Sequence, residues 1–148
     1  MSSSSSPEYA GDLGPAAVWA LLEQESKAQL IDVRTVAEWN FVGLPDLSSL
    51  GRKAYCIEWQ TFPTMQPNPN FAADAAEALQ SAGAGPQTPV LFLCRSGARS
   101  RAAAMAMTRA GFAKAFNVAG GFEGNLDDEG HRGLTEGWKA AGLPWRQS

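Results

Sequence analysis

Cys94-Arg95-Ser96-Gly97-Ala98-Arg99-Ser100 combines a nucleophile with the means to ionise it. The thiolate, not the thiol, attacks, and cationic neighbours or a helix N-terminus favour that form. Arg95 and Arg99 supply positive charge. Gly97 lets the backbone turn in ways that other residues resist, so successive amides of a short loop can converge on one point. Such a loop suits a nucleophilic sulfur and an anionic substrate. The wider charge pattern agrees. From Ala78 through Phe122 there is no Asp or Glu, although the chain holds 15 acids and has a net charge of −3. Arg95, Arg99, Arg101, Arg109 and Lys114 all fall within that window. A local positive field in an acidic protein points to a small anion rather than to nucleic acid.

The elements that must hold this loop follow from the flanking pattern. Pro89 opens the apolar run Val90-Leu91-Phe92-Leu93, which suits a strand buried on both faces and puts Cys94 at its C-terminal end. The Ala- and Met-rich run after Ser100 predicts a helix that stops near Gly111, with its positive end aimed back at the loop. Pro15 to Gln24 has apolar residues at helical spacing, Gln29 to Val33 reads as a buried strand, and Glu38, Trp39 and Phe41 suggest a short helix. Arg34 and Glu38, four apart, would share one helical face and tie the first strand to the turn after it. Lys53 to Trp59 alternates like a strand, Phe71 to Ala82 is helical, Ala113 to Val118 is a strand, and residues 134 to 141 read as a last helix. Pro63, Pro67 and Pro69 make the stretch from Gln60 to Asn70 irregular, with Trp59, Phe62 and Met65 either walling the site or covering the core edge. Alternating strands and helices imply an α/β fold, a mainly parallel central sheet with helices on both faces. The Ser-rich start, residues 1 to 12, has no hydrophobic periodicity and is expected to be a disordered tail. Residues 13–146 form one domain.

The loop from Cys94 to Ser100 closely resembles the active-site loop of rhodanese-type sulfurtransferases. Leu30-Ile31-Asp32-Val33-Arg34-Thr35-Val36-Ala37-Glu38-Trp39 resembles that family's first-strand signature, Asn117-Val118-Ala119-Gly120-Gly121 its late strand-to-turn motif, and Trp138 with Gly142-Leu143-Pro144 its closing segment. The resemblance spans roughly Gly14 to Pro144, in the family's order. It implies a rhodanese-like fold in which Cys94 carries sulfur as a persulfide. Arg95, Ser96, Gly97, Ala98, Arg99 and Ser100 would cradle the substrate, with Asp32, Arg34 and Glu38 as structural support. Implied partners are a small anionic sulfur donor such as thiosulfate and a thiol, cyanide or protein acceptor of sulfur. The family's usual Gly-His-Ile-Pro-Gly-Ala stretch is replaced by Phe41-Val42-Gly43-Leu44-Pro45-Asp46. A polar insertion follows around residues 123–133.

Two other chemistries compete. Cysteine phosphatases place an arginine after five intervening residues so that its fork meets phosphate oxygens, whereas Arg99 comes after four. An arsenate reductase would need a resolving thiol, for which Cys56 is the sole candidate. Cys56 itself reads as a small buried packing residue. A non-catalytic binding or sulfur-relay module on the same fold would commonly lose the cysteine, and this chain keeps it. Asp127, Asp128 and Glu129 lack calcium-loop spacing, and His131 is the only histidine, so no metal is expected. No GxGxxG or Walker sequence is present, and no cofactor is expected. The apolar runs are too short for a membrane span, the start lacks a secretory pattern, and two cysteines make no disulfide framework. The expectation is a cytoplasmic enzyme.

Overall fold

A computed structural model describes residues 8–61 and 63–147. Phe62 and the Ser tract Met1 to Ser6 lie outside the described residues. The central sheet is built from β1 (Gly11–Leu13), β2 (Gln29–Asp32), β4 (Tyr55–Cys56), β7 (Val90–Leu93) and β8 (Ala115–Val118). Its order is β1-β8-β7-β2-β4, with every pairing parallel. Parallel neighbours require crossovers, and α1 (Pro15–Gln24), α3 (Phe71–Ser81) and α4 (Ala98–Arg109) lie in those connections. A short α2 (Val36–Phe41) follows β2. Two small antiparallel ladders complete the chain: β3 (Leu44–Pro45) with β9 (Trp145–Arg146), and β5 (Gln60–Thr61) with β6 (Gln66–Pro67).

Strand alternation sorts the interior into two cores. Ile31, Val90 and Phe92 pack with Phe71, Ala75 and Leu79 of α3 and with Ala103, Ala104 and Met107 of α4. Leu30, Leu91 and Leu93 face the other way, onto Val18 and Leu22 of α1, Phe122 and Trp138. Helices therefore cover both faces, as the continuous apolar runs require. Cys94 continues the parity of Val90 and Phe92, so its side chain emerges on the α4 face. In register, Asp32 lies opposite Leu93 and Phe92 opposite Asn117. The C-terminal ends of the three central strands thus meet at one rim, where ligands of parallel α/β sheets gather.

Four expectations need correction. The sheet begins at Gly11, inside the stretch read as a tail, because Gly11–Leu13 gains backbone pairing along β8. The strand expected over Lys53 to Trp59 shrinks to Tyr55–Cys56, and the Pro-rich excursion after it holds the β5–β6 ladder. Helix α4 starts at Ala98 rather than after Ser100, since Gly97 at φ +125° makes the turn into it. Residues 134 to 141 form turns and bends, not a helix. Gly137, at φ +96°, lies against Gly120 and Gly121, where a Cβ would stand 2.8 Å from the Gly121 carbonyl. That close approach replaces helical periodicity and lets Trp138 reach the core, its amide bonded to Gly121 O at 2.8 Å and its indole N–H to Pro144 O at 2.7 Å. The polar segment 123–133 is irregular, with Asp127 accepting the amides of Glu129 and His131 in a local turn.

Candidate active site

Cys94 leaves β7 and is 1% exposed. Its sulfur accepts the Gly97 amide at 3.1 Å and stands 3.2 Å from the Ser100 hydroxyl. The geometry has a clear origin. Backbone from the Gly120-Gly121 turn reaches under the loop, where the amides of Phe122, Glu123 and Gly124 bind the carbonyls of Cys94 (2.8 Å) and Arg95 (3.0 and 3.1 Å). With those carbonyls held on one side, the following amides are free to turn toward sulfur. The first hydrogen bond of α4 is Arg101 N–H to Gly97 O. The amides of Ala98, Arg99 and Ser100 are therefore the unpaired donors of a helix's first turn, a natural receptor for negative charge.

The expected cradle divides into parts. Gly97 and Ser100 reach the sulfur. Ser96 and Ala98 contribute backbone to the turn, with Ala98 exposed. Arg95 is exposed and forms no ion pair among the described residues. Arg99 is committed elsewhere, gripping Glu38 through Nη1–Oε1 at 2.7 Å and Nη2–Oε2 at 3.0 Å. Burial alone would raise the Glu38 pKa, but Arg99's hydrogen bonding and charge, with help from Thr35, bring it below the usual range. Burial opposes the charge on Arg99, and Glu38, then Cys94 and Asp32, outweigh it and push its pKa up.

Asp32, Arg34 and Glu38, expected as structural support, pair differently from the expected Arg34–Glu38 tie. Arg34 is fully buried against Asp32, Nη2 to Oδ2 at 2.6 Å and Nε to Oδ1 at 2.9 Å. It also donates to the Gly43 carbonyl at 2.7 Å and lies 4.3 Å over the Phe122 ring. A partner two residues away within the turn outcompetes the four-residue helical spacing, because α2 begins only at Val36. Glu38 instead completes a capping box with Thr35, the N-cap of α2, and offers its carboxylate to Arg99. That contact ties α2 to the loop that follows Cys94.

Beside the loop lies a concavity of about 510 Å³ whose walls include Glu38, Val42, Gln60, Met65, Arg95 and Arg99. Met65 walls it from the turn between β5 and β6, at φ +56°, a backbone conformation that non-glycine residues seldom hold. Trp59 packs edge-on to Phe71 at 5.0 Å and belongs with the core instead. Cys56 is exposed, not buried as expected. Desolvation of its thiol, and next the Asp32 carboxylate, push its pKa up to about 12, unsuited to a resolving thiol. A larger depression lined by Lys27, Arg52 and Lys53 includes Gln29, at the other end of β2, and neither cysteine lines it.

Asn117 and Asp12 are polar residues at the site to which the sequence analysis gives no role. Asn117 is 1% exposed, with Oδ1 2.5 Å from Ser100 Oγ and Nδ2 2.8 Å from Asp12 Oδ1. The signal for it was a buried-type strand, Phe116 to Val118, interrupted by an amide.

The model of the rhodanese-like domain matches residues 14–127. The chain belongs to the rhodanese-like family. Among relatives of this rhodanese-like protein, RP600 of Rickettsia prowazekii is 34% identical and RC0915 of Rickettsia conorii 33% identical. Each alignment covers 85% of this chain and 89% of the relative. The crystal structure of Rv0390 from M. tuberculosis superposes with a TM-score of 0.84 at 51% identity, covering 95% of this chain and 99% of that one. The fold is also shared, at 23% identity and a TM-score of 0.55, with the polysulfide-sulfur transferase homodimer of Wolinella succinogenes, over 93% of this chain and 78% of that one. Membership in the rhodanese-like family supports sulfurtransferase-type chemistry in general. No helix among the described residues is long and apolar enough to cross a membrane.

Proposed function

We propose that the protein is a sulfurtransferase acting through a Cys94 persulfide, with thiosulfate or a related anion as donor. The Cys94 thiolate attacks the outer sulfur of thiosulfate. A new S–S bond forms, the old one breaks, and sulfite departs with the electron pair. Cyanide or a thiolate, free or on an acceptor protein, then takes the outer sulfur and returns the Cys94 thiolate. Neither step needs a general base once the sulfur is ionised. The unpaired first-turn amides of α4 and the uncompensated Arg95 would hold the donor's charge, and Ser96 to Ala98 shape the turn that presents those amides. The observation that carries this reading is the Gly97 amide donating to the sulfur at the N-terminus of α4.

Arg99 argues against the phosphatase alternative. Its fork already meets a carboxylate in two-pronged fashion and is not aimed at the sulfur. Retention of Cys94 in a preformed donor cradle argues against a purely non-catalytic module. Two free cysteines fit a reducing compartment, and we assign the protein to the cytoplasm, within a single domain over residues 13–146 that works without a metal or cofactor. A thiosulfate:cyanide assay on wild type and Cys94→Ser tests the reading. Thiocyanate formation should be lost in the variant, and full activity there would overturn the assignment.

A further inference from the structure

Ser100 has one hydroxyl proton and three acceptors within reach: Cys94 Sγ at 3.2 Å, Gly97 O at 3.2 Å and Asn117 Oδ1 at 2.5 Å. It can serve one of them at a time. Which end of the Asn117 amide faces Ser100 is decided on its far side. Asn117 Nδ2 donates to Asp12 Oδ1, and an ionised carboxylate can only accept, so the amide oxygen is left to Ser100. Asp12 is fixed in turn by the Tyr9 hydroxyl, at 3.0 and 3.1 Å from its two oxygens. The chain Asp12–Asn117–Ser100 thus draws the hydroxyl proton away from the sulfur and presents an oxygen lone pair to it.

We propose that Asp12 and Asn117 are positioning residues for the nucleophile, setting the direction of the Ser100 hydroxyl and so whether it accepts from or donates to Cys94. The proposal rests on Cys94 being the reacting sulfur. While Sγ bears a proton or is capped by a second sulfur, the Ser100 proton stays on Asn117. When Sγ carries the negative charge, as attacking thiolate or as leaving group from the persulfide, the hydroxyl turns to it and the Asn117 bond is given up. The amide anchor therefore taxes the ionised sulfur, and releasing it makes the thiolate easier to form.

Other charged groups sit on the elements packed around the sulfur. Arg95 and the Arg99–Glu38 pair come from the loop and α2, the Asp32–Arg34 pair from the end of β2, and Arg101 of α4 lies 4.0 Å from Asp12 Oδ1. A test must separate the hydroxyl from the plain field of Asp12. Thiolate ultraviolet absorbance of the full chain is followed against pH in a Cys56→Ser background, where Cys94 is the only thiol. Asp12→Asn, at an exposed position, frees the Asn117 amide to turn its NH₂ toward Ser100. The absorbance profile should move toward acid by about one pH unit, roughly tenfold more thiolate on its acid side. Asn117→Ala, which removes the competing acceptor, should move it the same way. With Ser100→Ala also present, the Asp12→Asn displacement should shrink to less than half. No displacement, or one that persists in full without the hydroxyl, overturns the proposal. The reading needs no sulfur donor, so it can fail while sulfur transfer through Cys94 stands, and the converse.

Discussion

Replacing Gly121 by Ala strikes the nucleophile loop from below without touching any side chain of the site. Gly121 sits at φ +62°, and a Cβ there would stand 2.5 Å from Arg95 O and 2.6 Å from Cys94 O. Ordinary contact begins roughly 1 Å farther out, so the two carbonyls must retreat by about that much. The left-handed backbone adds about 1–2 kcal/mol for a residue with a Cβ. The bonds from Phe122 and Glu123 to those carbonyls, each contributing about 1 kcal/mol, would be stretched or lost. The expected destabilisation is about 3 kcal/mol, read from urea unfolding followed by tryptophan fluorescence. A displacement near 1 Å at the loop should also lower kcat/KM for thiosulfate by about 10²-fold. Gly111→Ala is the control. Gly111 also has positive φ, but a Cβ there meets open space at the far end of α4, so stability falls while kcat is retained. A Gly121→Ala protein with wild-type turnover, or a Gly111→Ala protein equally inactive, would refute the idea that this turn sets the loop.

Glu38→Gln should cost about 1–2 kcal/mol at neutral pH, because Arg99 keeps its fork but loses the charge it grips. The folded-state pKa of Glu38 is lowered, so its contribution is complete above the ordinary carboxylate range and lost as pH falls through the folded value. Urea midpoints of wild type and variant should therefore converge in acid, and a constant gap would count against the pairing. Arg95→Ala should raise KM for thiosulfate several-fold with little change in stability, since its exposed guanidinium has no ion-pair partner among the described residues. An unchanged KM across low and moderate ionic strength would remove Arg95 from the donor site.

The parts of this fold that could be read from the chain are those written in local pattern. Apolar runs marked β2 and β7, periodicity marked α1 and α3, and Cys94 fell at the strand end where a loop and helix would frame it. Pairings made across space were not legible. Arg34 chose Asp32, two residues back in a buried turn, over the helical partner four residues on, and Glu38 found Arg99 some sixty residues later. Residues 134 to 141 read as a helix, yet close backbone approach at Gly137 made them a series of turns. Asp12 escaped notice because its stretch looked like a tail, and only the register of β1 on β8 brings it beside Asn117. Cys56 looked like packing because its neighbours alternate, but a two-residue edge strand leaves it exposed.

Intact and peptide mass spectrometry after incubation with thiosulfate, without acceptor, reads sulfur loading on each cysteine. The peptide bearing Cys94 should gain one sulfur atom, the peptide bearing Cys56 none, and the added sulfur should be lost when cyanide follows. An unmodified Cys94 in a folded protein that still forms thiocyanate would contradict the Cys94 persulfide route.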